Sequence, residues 1–305
     1  MSFPPHKTVV IICGPTAVGK TSVAIALAKH FHTEIISADS RQCFKELNIG
    51  VARPSEKELV EVTHHFIASH SIKDEMDAAA YEKFALQKTK ELFEKNDVVI
   101  MVGGTGLYIK AFCAGLDDIP AVEISTREKI KVDYEEKGLS WLQDEIRKKD
   151  PAFYKTGEIQ NPQRMMRALE VVEATGKSIL EFRKAKKATR DFNIIKLGLE
   201  LSKEELYRNI NSRVDSMMEH GLVDEVKTLL AFKKMNALQT VGYKEIFEYI
   251  DGTFSLTQAA EEIKKNTRHY AKRQMTWFKK DDEIKWFSPL AVEKMKEFIA
   301  EELSA

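Results

Sequence analysis

Thr8-Val9-Val10-Ile11-Ile12-Cys13-Gly14-Pro15-Thr16-Ala17-Val18-Gly19-Lys20-Thr21 decides the reading of this chain. From Gly14 onward it fits G-x-x-x-x-G-K-[ST], a loop whose backbone cradles phosphate groups. The run Thr8 to Ile12 is apolar and β-branched and reads as a buried strand. Ser22 to His30 is helix-prone. Strand, glycine loop and helix therefore stand in the required order. Glycines let successive N–H groups turn toward one anion, and the helix N-terminus adds partial positive charge. In such a loop Lys20 reaches the outer phosphates and the Thr21 hydroxyl is a Mg²⁺ ligand. The bland reading is a tight strand-to-helix turn. The pattern favours a di- or triphosphate ligand without saying which.

Working outward, the segment up to about residue 117 alternates strand and helix, the α/β signature. Glu34 to Ser37 reads as a short strand ending in Ala38-Asp39-Ser40-Arg41-Gln42, and His65 to Ala68 as another. Ala78 to Lys95 has helical periodicity. Asp97 to Val102 is an apolar strand running into Gly103-Gly104-Thr105-Gly106. From Ser125 to about Arg190 the pattern is helical and rich in charge, with Ser125 to Lys137, Ser140 to Lys149, Pro162 to Thr175 and Ser178 to Lys187 as helices. Asn193 to Leu201 returns as a strand. The helices Lys203 to Glu219, Val223 to Lys233, Tyr243 to Asp251 and Ser255 to Lys280 follow, and then a strand, Glu283 to Phe287. The expected architecture is α/β, a P-loop parallel-sheet core with an inserted all-helical domain. The core takes residues 1–117 and 191–305 and the insertion 118–190.

Composition sets bounds. The chain has 305 residues, 43% of them hydrophobic, which is ample for a core. Formal net charge is zero, so any nucleic-acid surface must be local. Cys13, Cys43 and Cys113 show no metal spacing and no paired framework, which suits a reducing cytosol and buried small hydrophobes. Met1 to Lys7 has no apolar signal core. No stretch approaches ~18 uninterrupted apolar residues, so no membrane association is expected.

Five features outside the loop bear on chemistry. Asp39 follows a strand end, the edge that faces ligands in open α/β sheets. There it could ligand Mg²⁺, act as a general base or simply cap a turn. The strand ending at Val102 has no acid at its tip where many nucleotide hydrolases hold metal, which argues against ATP hydrolysis. Its Gly103-Gly104-Thr105-Gly106 turn allows close backbone approach or is merely tight. Lys264 to Lys280 holds seven Lys or Arg and three aromatics. It reads as a phosphate-facing helix or as a solvated face with Tyr270, Trp277 and Phe278 inward, the inward reading being favoured for Trp277 and Phe278. Arg183-Lys184-Ala185-Lys186-Lys187 is a second basic cluster. Arg213, alone on its helix, would pass for surface.

The ordered set Gly14 to Thr21, Ser37-Ala38-Asp39-Ser40, Asn48-Ile49-Gly50, Ala52-Arg53-Pro54, Gly103 to Tyr108, Asn161-Pro162-Gln163-Arg164, Arg213 with Met217, Met218 and Gly221, Val241-Gly242-Tyr243, and Tyr270 to Gln274 resembles the tRNA dimethylallyltransferases (tRNA isopentenyltransferases) of bacterial type. The likeness runs from about Val9 to Phe287. It implies transfer of a dimethylallyl group from dimethylallyl diphosphate to N6 of the adenosine just 3′ of the anticodon, in tRNAs reading codons that begin with U. By that resemblance Gly14, Pro15, Thr16, Ala17, Val18, Gly19, Lys20 and Thr21 hold diphosphate, with Mg²⁺ on Thr21. Asp39 is the general base, and Thr16 and Arg213 serve the leaving diphosphate. The tRNA anticodon stem-loop lies near Asp39, Ser40, Arg41, Gln42, Thr105, Arg127, Gln163, Arg164, Met165, Met166, Arg167, Gln239, Thr240, Val241, Gly242, Tyr243 and Lys244. No cysteine follows Cys113, so the C-terminal zinc finger of eukaryotic relatives is not expected. A cytoplasmic monomer is. A small-molecule kinase would leave the later motifs idle, and a non-catalytic RNA-binding protein would not need Lys20, Thr21, Asp39 and Arg213 together.

Overall fold

Val9 to Ile12 are wholly inaccessible to solvent. A strand with no wet face can satisfy its backbone only between two other strands. β1 (Thr8–Cys13) is indeed central, flanked by β4 (Val98–Gly103) and β5 (Asn193–Leu199). The computed structural model describes residues 7–183 and 188–304. With β2 (Ile35–Ser37), β3 (His64–His65) and β6 (Ile284–Phe287), the described residues form a six-stranded sheet, ordered β3-β2-β4-β1-β5-β6. Every pairing in it is parallel.

The helices are α1 (Lys20–His30), α2 (Glu56–Glu61), α3 (Ala78–Phe93), α4 (Gly106–Ala114), α5 (Ile124–Lys149), α6 (Pro151–Thr156), α7 (Pro162–Thr175), α8 (Ile179–Phe182), α9 (Lys203–Glu219), α10 (Leu222–Thr228), α11 (Tyr243–Ile250), α12 (Leu256–Phe278) and α13 (Val292–Ser304). Side chains alternate across each strand, so both faces of the sheet need covering. Val10 and Ile12 pack with Val23, Ala24 and Leu27 of α1, Ile210 of α9 and Ile299 of α13. Val9, Ile11 and Cys13 belong to the opposite core, with Tyr81, Phe112, Val226, Ile246 and Ile263.

The chain divides into two compact units, residues 1–113 with 189–305, and residues 114–188. Both breaks fall a few residues earlier in the chain than the change of sequence character placed them. The smaller unit has its own core of Ile130, Leu142, Ile146, Phe153, Met165, Leu169 and Ile179. α5 runs as one span, but Gly138 interrupts it with φ 75° and ψ −171°, so the two helices read from sequence abut at a break. β3 stops at His65 because Phe66 and Ala68 take positive φ. α10 ends at Thr228 and a 3₁₀ turn, Leu230–Phe232, follows. α8 ends at Phe182, and the helix expected to Lys187 runs into residues 184–187, outside the described residues. α2 buries nothing, so it left no periodicity to read; a Ser55–Glu58 capping box holds its start. Among the described residues no helix is long and apolar enough to cross a membrane.

Candidate active site

The loops leaving β1, β2 and β4 open on one cleft of about 720 Å³. Gly19, with φ 98°, caps α1 and has no side chain to occupy the N–H groups of its first turn. Those groups remain for an anion. Thr16, Lys20 and Thr21 line the cleft, with Asp39 and Arg213. Gly14, Pro15 and Val18 are buried behind it and shape the loop.

Lys20 Nζ donates to the Pro15 carbonyl at 2.6 Å. Burial, with the charge of Arg213 next, pulls its pKa down to about 8, while Asp39 works the other way. Arg213 is held by α9 with its Nη1 donating to Thr16 Oγ1 at 3.3 Å, and burial lowers its pKa. One turn earlier Asn209 Nδ2 donates to the Ala17 carbonyl at 3.3 Å, so one face of α9 grips the loop twice. Two cations held partly out of water against each other form a receptor for a polyanion. The lone helical arginine that pattern alone would leave on the surface is thus part of the cleft.

Asp39 uses Oδ1 to accept from the N–H groups of Arg41 (2.9 Å) and Gln42 (3.2 Å). It caps a turn and also lines the cleft. The Ser40 N–H donates to Thr105 Oγ1 at 3.0 Å, and the Thr105 N–H to the Ala38 carbonyl at 3.2 Å. The turn after β4 therefore braces the turn after β2. Gln42 Nε2 donates to the Val51 and Ala52 carbonyls at 3.2 and 2.9 Å, drawing residues 50–54 to the rim. Arg41 Nη2 donates to Asn236 Oδ1 at 3.4 Å.

Opposite lie Gln239, Thr240, Val241, Gly242 and Lys244, with Thr267, Tyr270 and Arg273 of α12. Tyr243 is not among them. It is wholly buried, and its hydroxyl donates to Glu225 Oε1 at 2.6 Å. Tyr243 is therefore corrected from an RNA contact to a core residue. The same correction applies to Met165 and Met166, which are 0% and 8% exposed in the core of the smaller unit. The motif Asn161-Pro162-Gln163-Arg164 is a helix start: Asn161 Oδ1 accepts from the Arg164 N–H at 3.3 Å, and Pro162 takes the first helical position. Gln163 and Arg164 are exposed, and Arg164 pairs with Glu158. Arg127 and Arg167 both meet Glu170 Oε2, at 3.5 and 3.0 Å.

The basic stretch of α12 is less positive than its sequence. Lys264 pairs with Asp215 and Glu261, Lys265 with Glu262 and Lys279 with Glu200. Phe278 is buried as expected, but Trp277 is 40% exposed, against the inward reading. Arg183 stacks over Phe153 at 5.9 Å, and the rest of its cluster, residues 184–187, lies outside the described residues. Burial pushes Cys13 and Cys43 up to about 12 and Cys113 to about 11, so all three stay protonated thiols.

Pattern reading missed Glu225, whose carboxylate also accepts from the Ile49 and Gly50 N–H groups at 2.7 and 3.1 Å. It gave Gln274 no role, yet that side chain bridges two loops of the cleft. An acid or amide acting on distant backbone has no local spacing to betray it. For a metal, the described residues hold no group of three or more His, Cys, Asp or Glu that could bind one. Thr21 in the cleft suits an ion that takes most of its oxygens from a bound phosphate group and water.

The IPP transferase family model matches residues 42–281. A tRNA dimethylallyltransferase of Christiangramia forsetii is 52% identical over 276 residues, 90% of this chain and 91% of that protein. The tRNA dimethylallyltransferase of Cytophaga hutchinsonii is 44% identical over 99% of both chains. The solved tRNA isopentenylpyrophosphate transferase of Bacillus halodurans superposes with a TM-score of 0.72 at 33% identity, over 98% of this chain and 97% of that one. A eukaryotic dimethylallyltransferase captured acting on tRNA superposes with a TM-score of 0.74 at 27% identity, over 89% of this chain and 70% of that one. Sequence over nearly its whole length, and a parallel-sheet fold shared with solved members, place the chain in the IPP transferase family.

Proposed function

We propose that the chain is a prenyltransferase that moves a dimethylallyl group from dimethylallyl diphosphate to N6 of the adenosine 3′ of the anticodon in tRNAs reading codons that begin with U. The observation that carries this is the pairing of Lys20 and Arg213 across one cleft from Asp39, with no acid at the tip of β4. Two cations suit a departing diphosphate, and the missing acid removes the usual means of aiming water at phosphorus.

In this reading the allylic C1–O bond breaks and its electron pair leaves on diphosphate. Lys20, Arg213 through Thr16, and the first N–H groups of α1 meet the growing charge. The adenine nitrogen forms the new C–N bond, and its proton passes to Oδ2 of Asp39. The base must leave its stack to reach the cleft. Arg41, Gln42, Gln239 and Lys244 stand at the rim to receive the loop, while Gln163, Arg164, Arg167 and Arg127 of the smaller unit are the stem-loop contacts assigned there. Mg²⁺ on Thr21 would add charge neutralisation to the diphosphate when bound. The protein is expected to act as a monomer.

The test is incubation of the protein with Mg²⁺, labelled dimethylallyl diphosphate and an anticodon stem-loop carrying the adenosine. Label should enter the RNA and diphosphate should be released. ATP in place of dimethylallyl diphosphate should give neither label transfer nor comparable thermal protection. Phosphorylation of a small molecule with no label in RNA would overturn the reading.

A further inference from the structure

Gln274 of α12 is 6% exposed, and no step above uses it. Its Oε1 accepts from the Thr16 N–H at 2.8 Å and its Nε2 donates to the Gly104 carbonyl at 2.9 Å. An N–H can only donate and a carbonyl only accept, so the carboxamide orientation is determined. The loops it joins leave β1 and β4, neighbouring strands, and only their backbones meet the amide. A Cβ on Gly104 would fall 2.3 Å from Nε2, so the absence of a side chain there makes room for the amide. The same bond takes up the Thr16 N–H, while the Thr16 hydroxyl accepts from Arg213.

From this we infer that Gln274 is a positioning residue for the leaving group. It sets Thr16, and through Thr16 the Arg213 guanidinium, at the place the diphosphate occupies. The inference rests on the reading of this cleft as a diphosphate site. Methionine has the length of glutamine and neither hydrogen bond. Glutamate keeps the acceptor for Thr16 but sets a carboxylate against the Gly104 carbonyl and beside the anion. Asparagine is one methylene too short to reach both.

The experiment measures affinity for inorganic diphosphate with Mg²⁺ by calorimetry, beside steady-state transfer, on folded protein of matched helicity. Gln274→Met should weaken diphosphate binding by roughly tenfold to a hundredfold, as expected for the loss of two buried hydrogen bonds. The KM for the stem-loop should stay put, a split that general loosening of the fold would not produce. Gln274→Glu should bind diphosphate more weakly still. Gly104→Ala, which displaces the amide without touching it chemically, should reproduce the defect and add nothing to Gln274→Ala. The idea is overturned if Gln274→Met binds diphosphate like the parent, if both substrates weaken alike, or if the Gly104→Ala and Gln274→Ala costs add. Should Gln274→Met not fold, the Gly104→Ala cycle decides alone. A parent protein that binds diphosphate but transfers nothing would sink the proposed reaction and leave the role of Gln274 decided by affinity. One that binds no diphosphate would sink both.

Discussion

In the proposed reaction Lys20 and Asp39 divide the chemistry of the cleft. Burial and Arg213 bring the Lys20 pKa from 10.5 to about 8. A depressed lysine binds fewer protons folded than unfolded between those values. Its contribution to the stability of the ligand-free protein therefore rises with pH across that window. Diphosphate acts oppositely, because it favours the charged amine. Its affinity should fall as pH passes upward through about 8, toward roughly tenfold per unit. A pH series of KM for dimethylallyl diphosphate checks this, and Lys20→Arg should flatten the curve in that range because arginine does not titrate there. For Asp39, the expected phenotype is different in kind. Asp39→Asn keeps an oxygen for the Arg41 and Gln42 N–H groups, so the turn and both substrate affinities should survive. Transfer should drop by roughly 10²–10⁴-fold. Single-turnover rates near the parent's would remove Asp39 from the base role.

At the scale of elements, the cleft is assembled by helices that grip loops. Asn209 and Arg213 of α9 hold the phosphate loop from one side. Glu225 of α10 holds two others at once: the backbone at Ile49 and Gly50, and Tyr243 at the head of α11. Removing that carboxylate strands two part-buried N–H groups and a buried phenol. Glu225→Ala should therefore cost about 2–4 kcal/mol of stability, and Tyr243→Phe only about 1 kcal/mol, since it leaves the carboxylate its backbone partners. Urea unfolding of the three proteins measures both, and equal costs would mean that the phenol rather than the backbone anchors Glu225. Strand and helix order was legible in the sequence because full burial writes unbroken apolar runs into β1 and β4, and one-sided burial writes a helical period into α7. The phosphate loop was legible because its glycines and lysine are contiguous. Glu225 and Gln274 were not, since each acts over 170 residues or more of chain on groups that every residue carries. Met165, Met166 and Tyr243 misled for the converse reason: they stand beside exposed polar residues in sequence, but the helix turns them inward.

For the whole molecule, the division into two units makes a separable prediction. Residues 114–188 close on themselves: the Ala188 N–H donates to the Ala114 carbonyl at 2.8 Å, and their core draws on no residue of the sheet. The sheet unit in turn holds every residue of the cleft. Joining residue 113 to residue 189 by a short glycine–serine linker spans ends already brought together, so loop-closure entropy opposes it little. The shortened protein should fold and bind diphosphate with Mg²⁺ within about threefold of the parent, a spread of about 0.65 kcal/mol. It should lose transfer to the stem-loop, because Gln163, Arg164, Arg167, Arg127 and the Arg183 cluster go with the excised unit. In the intact chain, changing Arg183, Lys184, Lys186 and Lys187 to Ser should flatten the dependence of log affinity on log salt, by close to one unit for each phosphate left without its cation. Net charge of the parent is zero, so any steep salt dependence must come from such local clusters. Lys264, Lys265 and Lys279 are already paired with Asp215, Glu261, Glu262 and Glu200, and Arg127, Arg164 and Arg167 with Glu170 and Glu158, so the Arg183 cluster is the part of the excised unit that the salt slope tests. Filter-binding titrations at several salt concentrations decide it: an unchanged slope in the four-serine variant would put the RNA backbone on the sheet unit, and the shortened protein should then still bind the stem-loop.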